Sequence, residues 1–194
     1  EMIDTFASCN KFCTQFHIAL QSGCDTVLKR MNRTGDEKQL TELICKIRAK
    51  IPDVVIRTTF ITGFPGETED EFEETISLIE QVRYDALFTF IFSPRHGTPA
   101  ASMDDPTSKE EKNRRFDRLC NLQNTISESI HAQYIGKNMR CLIDGTDNDQ
   151  LTARTEGGRL IRLEGDPSLI GQFHDITVTG ATTWSLTGKL TGKE

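Results

Sequence analysis

The sequence predicts an α/β fold, the later part of a (β/α) barrel, followed by a small all-β barrel. Three observations carry that prediction. Strand-like and helix-like segments alternate from residue 15 to residue 93, at intervals of about 30 to 40 residues, the rhythm of parallel βαβ units. A long helical pattern then runs to Gly136. From Lys137 onward short alternating runs are separated by glycines, which suits a small barrel of the OB-like kind. The expected division is therefore residues 1–136 and 137–194.

The elements follow in order. "MIDTFASCNKF" reads as a helix with Glu1 already inside it, and we expect the chain to be a piece of a longer protein. "QFHIAL" (15–20) is a short apolar strand ending before Gly23, and Asp25 caps a helix carrying Val27, Leu28 and Met31. Asp36 with Gln39 opens an amphipathic helix whose stripe is Leu40, Leu43, Ile44 and Ile47, stopped by Pro52. "VVIRTTFITGF" (54–64) is β-branched and aromatic, hence a strand. Thr68 and Glu71 box the start of the next helix, with Phe72, Ile76 and Ile79 facing inward. "ALFTFIFSP" (86–94) is a third strand, and three strands alone neither close a barrel nor make a comfortable open sheet. After a Pro- and Gly-rich loop, Ser108 with Glu111 opens a helix bearing Phe116, Leu119, Gln123, Ile126 and Ile130, ended by Gly136. In the last region "EGG" reads as a hairpin turn.

Composition narrows the classes. With 36% hydrophobic and 27% charged residues over 194 positions, the chain is an ordinary globular protein. No run approaches the ~20 apolar residues of a membrane span, and the start does not look like a secretory signal. Six scattered cysteines form no compact disulfide framework, so a reducing, cytoplasmic setting is expected. A net charge of −6 argues against wholesale capture by nucleic acid but permits a local basic face.

Several residues carry candidate chemistry. Cys9 and Cys13 make two thirds of a Cys-x3-Cys-x2-Cys iron–sulfur loop, but the third position is Phe16, which cannot bind iron. In "FITGFPGET" (60–68) a strand runs through Gly63, Pro65 and Gly66 into a helix. Those glycines serve either the geometry of a tight βα turn or close approach of a ligand to the backbone. Gln21 and Ser22 lie at a strand end, where side chains reach polar ligands. Arg33 is either a surface cation on a helix or a fixed partner for a carboxylate. His17 reads as a hydrogen-bonded core or cavity histidine and His96 as a solvated loop residue.

Together, "HIALQSG", "MNR", "RTTFITGFPGETEDEFEET" and "FSPRHGTPAASM", followed by "EGDPSLIGQFHDITVTGATTWSLTGKL", resemble the radical S-adenosylmethionine methylthiotransferases. The likeness covers nearly the whole chain and is closest to the branch that modifies tRNA. It implies the C-terminal part of a partial (β/α) TIM-like radical SAM barrel, then an OB-like TRAM barrel that binds RNA. It also implies S-adenosylmethionine as cofactor and two [4Fe–4S] clusters whose ligands lie upstream, outside this chain. The implied reaction is methylthiolation of C2 of N6-isopentenyladenosine at position 37 of tRNA, with an electron donor reducing the cluster. A monomer is expected, the chain alone is expected to be inactive, and no catalytic or metal-ligating residue is assigned within it. By resemblance Gln21 and Ser22 contact S-adenosylmethionine, Arg33 pairs with its carboxylate, and Thr59, Ile61 and Gly63 pass its ribose and adenine. Thr59 stands where the tRNA branch often has Asp. Arg57 and Arg95 point toward the same mouth, for cofactor or RNA phosphate.

Over 137–194 there are 7 Lys and Arg against 8 Asp and Glu, a net charge near −1, so an RNA footprint there must be a local stripe. Arg154, Arg159 and Arg162 are its candidates, with Trp184 as either a stacking platform or a barrel-core residue. Two alternatives stand beside the tRNA enzyme: a ribosomal-protein aspartate methylthiotransferase, and a non-catalytic RNA-binding module.

Overall fold

The computed structural model describes residues 1–9 and 11–192; Asn10, Lys193 and Glu194 lie outside the described residues. Three parallel strands, β1 (Gln15–His17), β2 (Val55–Thr62) and β3 (Ala86–Ile91), lie in the order β1-β2-β3. The register sets His17 beside Arg57, Thr59 beside Phe88 and Ile61 beside Phe90. Period-two alternation divides β2 between two faces. Ile56, Thr58, Phe60 and Thr62 are buried, whereas Arg57, Thr59 and Ile61 are half-exposed on the other side. Among the described residues, helices cover only the first face. α3 (Glu37–Lys50), α4 (Glu69–Val82) and α5 (Lys109–Ala132) bury Ile44, Ile47, Phe72, Ile79, Leu119 and Ile126 against Ile56 and Phe60. The opposite face leaves Phe88 and Phe90 exposed.

The caps explain where the helices start. Asp36 accepts from Gln39 N at 2.8 Å, and Ser108 accepts from Glu111 N at 3.1 Å. The box at Thr68 and Glu71 is reciprocal. α2 (Asp25–Arg30) departs from expectation, because its N-cap is Cys24. Asp25 instead accepts from Glu37 N at 2.9 Å and ties α2 to the start of α3. In α5, Leu119, Gln123 and Ile126 are buried as read, while Phe116 is only partly so.

The opening helix is shorter than read. α1 (Met2–Ser8) stops at Cys9, whose backbone is extended. Phe12 folds back to stack on Phe6 at 4.3 Å between ring centroids, and both rings pack on Phe16. Gathering that half-buried aromatic trio takes the chain out of the helix after Ser8, so Cys9 and Cys13 do not share a helix face; both are exposed free thiols.

Five strands close the second unit: β4 (Asn138–Asp147), β5 (Gln150–Thr155), β6 (Leu160–Leu163), β7 (Phe173–Ala181) and β8 (Leu186–Leu190). Their order is β4-β5-β6-β8-β7, with β6 and β8 parallel and the other pairs antiparallel. Closure removes sheet edges. Inside lie Cys141, Ile143, Leu151, Ala153, Ile161, Leu163, Ile176, Val178 and Leu186.

The hairpin between β5 and β6 rests on the amino ends of β1 and β2. A Cβ on Gly157 would stand 2.5 Å from Val55 Cγ2, so only glycine permits the approach. Nearby, His131 Nδ1 lies 2.7 Å from Thr182 O, and Gly136 N donates to Val178 O at 2.8 Å. The long helix is thereby fastened to the barrel. No helix is long and apolar enough to cross a membrane among the described residues.

Candidate functional site

Beyond β1 the chain rejoins the sheet at Gln21. Its N–H donates to Thr59 O at 2.8 Å and its carbonyl accepts from Ile61 N at 2.9 Å, an isolated parallel bridge beside Phe60. Gln21 holds φ at +86°, the left-handed region that non-glycine residues rarely enter. Such strain persists where surrounding contacts enforce it and concentrates at functional sites.

Gln21 opens onto a cleft of about 510 Å³ at the carboxyl ends of the strands. Thr59 and Ile61 line it from β2, Phe90 from β3, and Phe92, Ser93, Arg95, Thr98 and Ala100 from the following loop. Parallel sheets bind ligands at this end. Thr59 Oγ1 is 3.2 Å from His17 Nε2, which places His17 on the same open face, against the edge of Phe88 at 5.4 Å. The sequence reading found Gln21, Thr59, Ile61 and Arg95 but missed Phe90, Phe92 and Thr98. Alternation in "ALFTFIF" was the available signal: Phe88 and Phe90 are in phase and both exposed.

Gly63 and Ser22 are placed elsewhere. Gly63 (φ +67°) donates its N–H to Glu67 Oε2 at 2.7 Å. A Cβ there would meet Lys112 Cγ at 2.6 Å, so this glycine admits α5 to the turn. Glu67 is buried, and that burial pushes its carboxyl pKa up against the Gly63 N–H and Arg115. Arg115 donates to Glu67 O at 2.9 Å and reaches its Oε2 at 3.4 Å. At the start of α4, Thr68 N donates to Glu71 Oε2 at 2.9 Å and Glu71 N to Thr68 Oγ1 at 3.2 Å. These helix donors are thus met from within the chain. Arg30 grips Glu71 with two bonds of 2.8 and 2.6 Å and is the first cause holding its pKa down at about 2. Ser22 is buried; its Oγ accepts from Cys24 N at 3.2 Å and lies 3.4 Å from Thr75 Oγ1. Arg33 sits in a separate groove with Ile18, Leu20, Gly35 and Leu43 beside the edge strand β1.

The six RNA candidates also fall into different settings. Arg57 lies 5.0 Å over the Phe88 ring, and Arg95 is exposed at the cleft mouth. Arg154 pairs with Asp144 at 2.9 Å on the barrel surface. Arg162 pairs with Asp147 at 2.8 Å and donates to Ser185 Oγ at 2.9 Å. Arg159 is buried, ion-paired with Asp85 and stacked over Tyr134 at 4.6 Å, which makes it a link between the two units. Trp184 is 77% exposed, so of its two readings the barrel core is excluded. A further cation on an aromatic face, Arg140 over Phe173 at 5.0 Å, went unread. Nothing local distinguished it from other strand arginines.

Among the described residues no group of three or more His, Cys, Asp or Glu stands together as a metal site requires. The residues present do not fit an iron–sulfur cluster, since Phe16 packs in the aromatic trio beside the exposed Cys9 and Cys13.

Comparison with known proteins is consistent across the chain. The Radical SAM superfamily matches residues 1–79, and the TRAM domain matches residues 132–191. Proteins named tRNA-2-methylthio-N(6)-dimethylallyladenosine synthase are similar throughout. One from Clostridium botulinum is 42% identical over 97% of this chain and 43% of its own length. One from Symbiobacterium thermophilum is 45% identical over 98% and 41%, and one from Acetivibrio thermocellus 39% over 98% and 40%. The chain therefore spans about two fifths of the curated relatives it matches.

Proposed function

We propose that this chain belongs with the radical SAM tRNA methylthiotransferases and forms the later part of the radical domain and the RNA-holding barrel of such an enzyme. We put the division at residues 136 and 137, in the segment between the end of α5 at Ala132 and the start of β4 at Asn138. The proposed reaction is methylthiolation of N6-dimethylallyladenosine in tRNA, carried out in the cytoplasm by a monomer with an external electron donor. The ribosomal-protein alternative loses ground because the relatives above are named for tRNA.

The observation that carries the reading is the cleft at the strands' carboxyl ends. S-adenosylmethionine pairs a planar base, apolar on its faces, with a polar ribose and a zwitterionic tail, and the lining matches both characters. Ile61, Phe90 and Phe92 offer the apolar wall; Gln21, Thr59, Ser93, Thr98 and Arg95 offer the polar one. When bound and reduced by one electron from the donor, S-adenosylmethionine would supply a radical for hydrogen abstraction, and a second molecule would supply the methyl group. This chain's residues would orient it: the enforced backbone at Gln21 fixes the rim, and Thr59 presents a hydroxyl braced by His17. The described residues supply no ligand set for an iron–sulfur cluster. A TRAM barrel of near-neutral charge must hold RNA through local contacts rather than bulk attraction.

Mass spectrometry of tRNA nucleosides from cells lacking the gene tests the proposal. Loss of the 2-methylthio derivative with accumulation of N6-dimethylallyladenosine is expected. An unchanged nucleoside profile would overturn it.

A further inference from the structure

A second cleft, of about 390 Å³, lies at the other end of the sheet, between β3, α5 and the barrel. Leu87 lines it from β3, Gln123 and Asn124 from α5, Arg57 from β2, and Arg154 and Trp184 from the barrel. Its volume is in the range of small-ligand sites, and it is separate from the cleft holding Gln21 and Thr59.

Two independent features mark it as a binding site. Gln123 is only 6% exposed, and its Nε2 donates to Tyr84 O and to Ser127 Oγ, both at 2.8 Å. Those bonds fix the amide's orientation, and Oε1 is left with no hydrogen-bond partner among the described residues. A buried carbonyl without a donor is costly, and native structures rarely keep one without a use. Arg57 Nε is likewise buried and without a partner among the described residues. Trp184 lines the same cleft and is 77% exposed, a large aromatic face open to solvent.

An exposed indole, a buried acceptor and adjacent arginines are the recognition chemistry of an unstacked nucleobase. We propose that this interdomain cleft seats one unpaired base of the RNA, stacked on Trp184, with an N–H of the base donating to Gln123 Oε1. The inference rests on the RNA-modifying reading and adds a second base seat, apart from the modified adenosine. All four bases carry an N–H donor, so the seat selects unpaired over paired RNA rather than one base over another. Arg154 is half-occupied by Asp144 and Arg57 by the Phe88 ring, so phosphate contacts here are secondary.

Trp184 is the chain's single tryptophan, which gives the site its own signal. The protein is titrated with an anticodon stem-loop RNA, a blunt RNA duplex of equal length and free nucleoside monophosphates, with emission and affinity both recorded. The stem-loop is expected to quench Trp184 and the duplex to leave it unchanged. Trp184→Ala is expected to weaken stem-loop binding about tenfold, and Trp184→Phe to recover most of that loss. Single-stranded oligouridine is expected to bind several-fold more tightly than oligo(3-methyluridine), which lacks the imino donor for Gln123. Equal affinity of Trp184→Ala and the parent with unmoved emission would place the RNA elsewhere, overturning the seat while the RNA-modifying reading stands. Quenching by free nucleotides but not by the stem-loop would overturn it in favour of a soluble ligand. Absence of RNA binding by the parent would overturn the seat and the RNA reading together.

Discussion

Arg159, in the barrel hairpin, forms a buried ion pair with Asp85, which immediately precedes β3; their side chains are 6% and 9% exposed. Asp85 Oδ2 also accepts from Ile56 N at 2.7 Å, and Arg159 covers the Tyr134 ring. One contact thus joins the sheet, the helix end and the barrel. A residue expected to meet RNA instead holds the two units in register.

Removing one member of a buried pair strands the other charge, at a cost of about 3–5 kcal/mol. Arg159→Ala should therefore lower the urea midpoint strongly and expose the segment around residue 136 to protease. Arg162→Ala, whose ion pair is partly exposed, should cost about 1 kcal/mol or less. Equal midpoints for the two variants would contradict the assignment.

Glu71 gives the acid limb of stability a specific source. Arg30 leads in lowering its pKa from 4.5 to about 2 in the folded protein. Its contribution is complete above pH 4.5 and is lost as pH falls toward 2. Allowing for solvent at Arg30, the effect is about 2 kcal/mol. Glu71→Gln should be less stable at neutral pH and show a flatter decline between pH 5 and pH 2, read by denaturant titration at each pH. A parallel decline in both proteins would exclude the Arg30 pair as the cause.

Gly63→Ala should cost about 1–3 kcal/mol, because it combines a left-handed backbone with contact on Lys112. In a Lys112→Ala background the contact disappears and the backbone penalty remains, so the loss should shrink without vanishing. Thermal denaturation of the four proteins measures the difference. An unchanged cost would mean that Lys112 is not the obstacle.

Ile61→Glu and Gln21→Ala should each weaken S-adenosylmethionine binding at least about tenfold in equilibrium dialysis, a loss of about 1.4 kcal/mol. Arg33→Ala maps the site's extent: weaker binding carries it into the groove beside β1, and unchanged affinity confines it to the cleft. Full binding by Ile61→Glu would remove the cleft from consideration.

What the sequence showed was mostly local. Asp36 with Gln39, Thr68 with Glu71 and Ser108 with Glu111 announced three helix starts because each cap is set within four residues. Strand β2 was legible from its run of β-branched and aromatic residues, while its two faces emerged with the structure. Of the candidate cleft, Gln21 and Arg95 were legible from strand-end position, whereas Thr59 and Ile61 were named by the family resemblance. The sequence was not legible where a distant contact decides. Arg159 looked like other strand arginines until Asp85, 74 residues earlier, met it. The helix around Cys9 ended early because Phe6, Phe12 and Phe16 gather, a tertiary demand overriding a helical pattern. Trp184 could be placed only after the barrel was seen to close without it.

We propose above that the open cleft of the parallel sheet serves a tRNA methylthiotransferase. Complementation of the gene deletion tests it most directly, with 2-methylthio-N6-dimethylallyladenosine measured in bulk tRNA. The intact gene should restore the nucleoside, and the Ile61→Glu gene, with its protein shown to be folded and present at equal level, should not. Full restoration by Ile61→Glu, or none by the intact gene, would contradict the account.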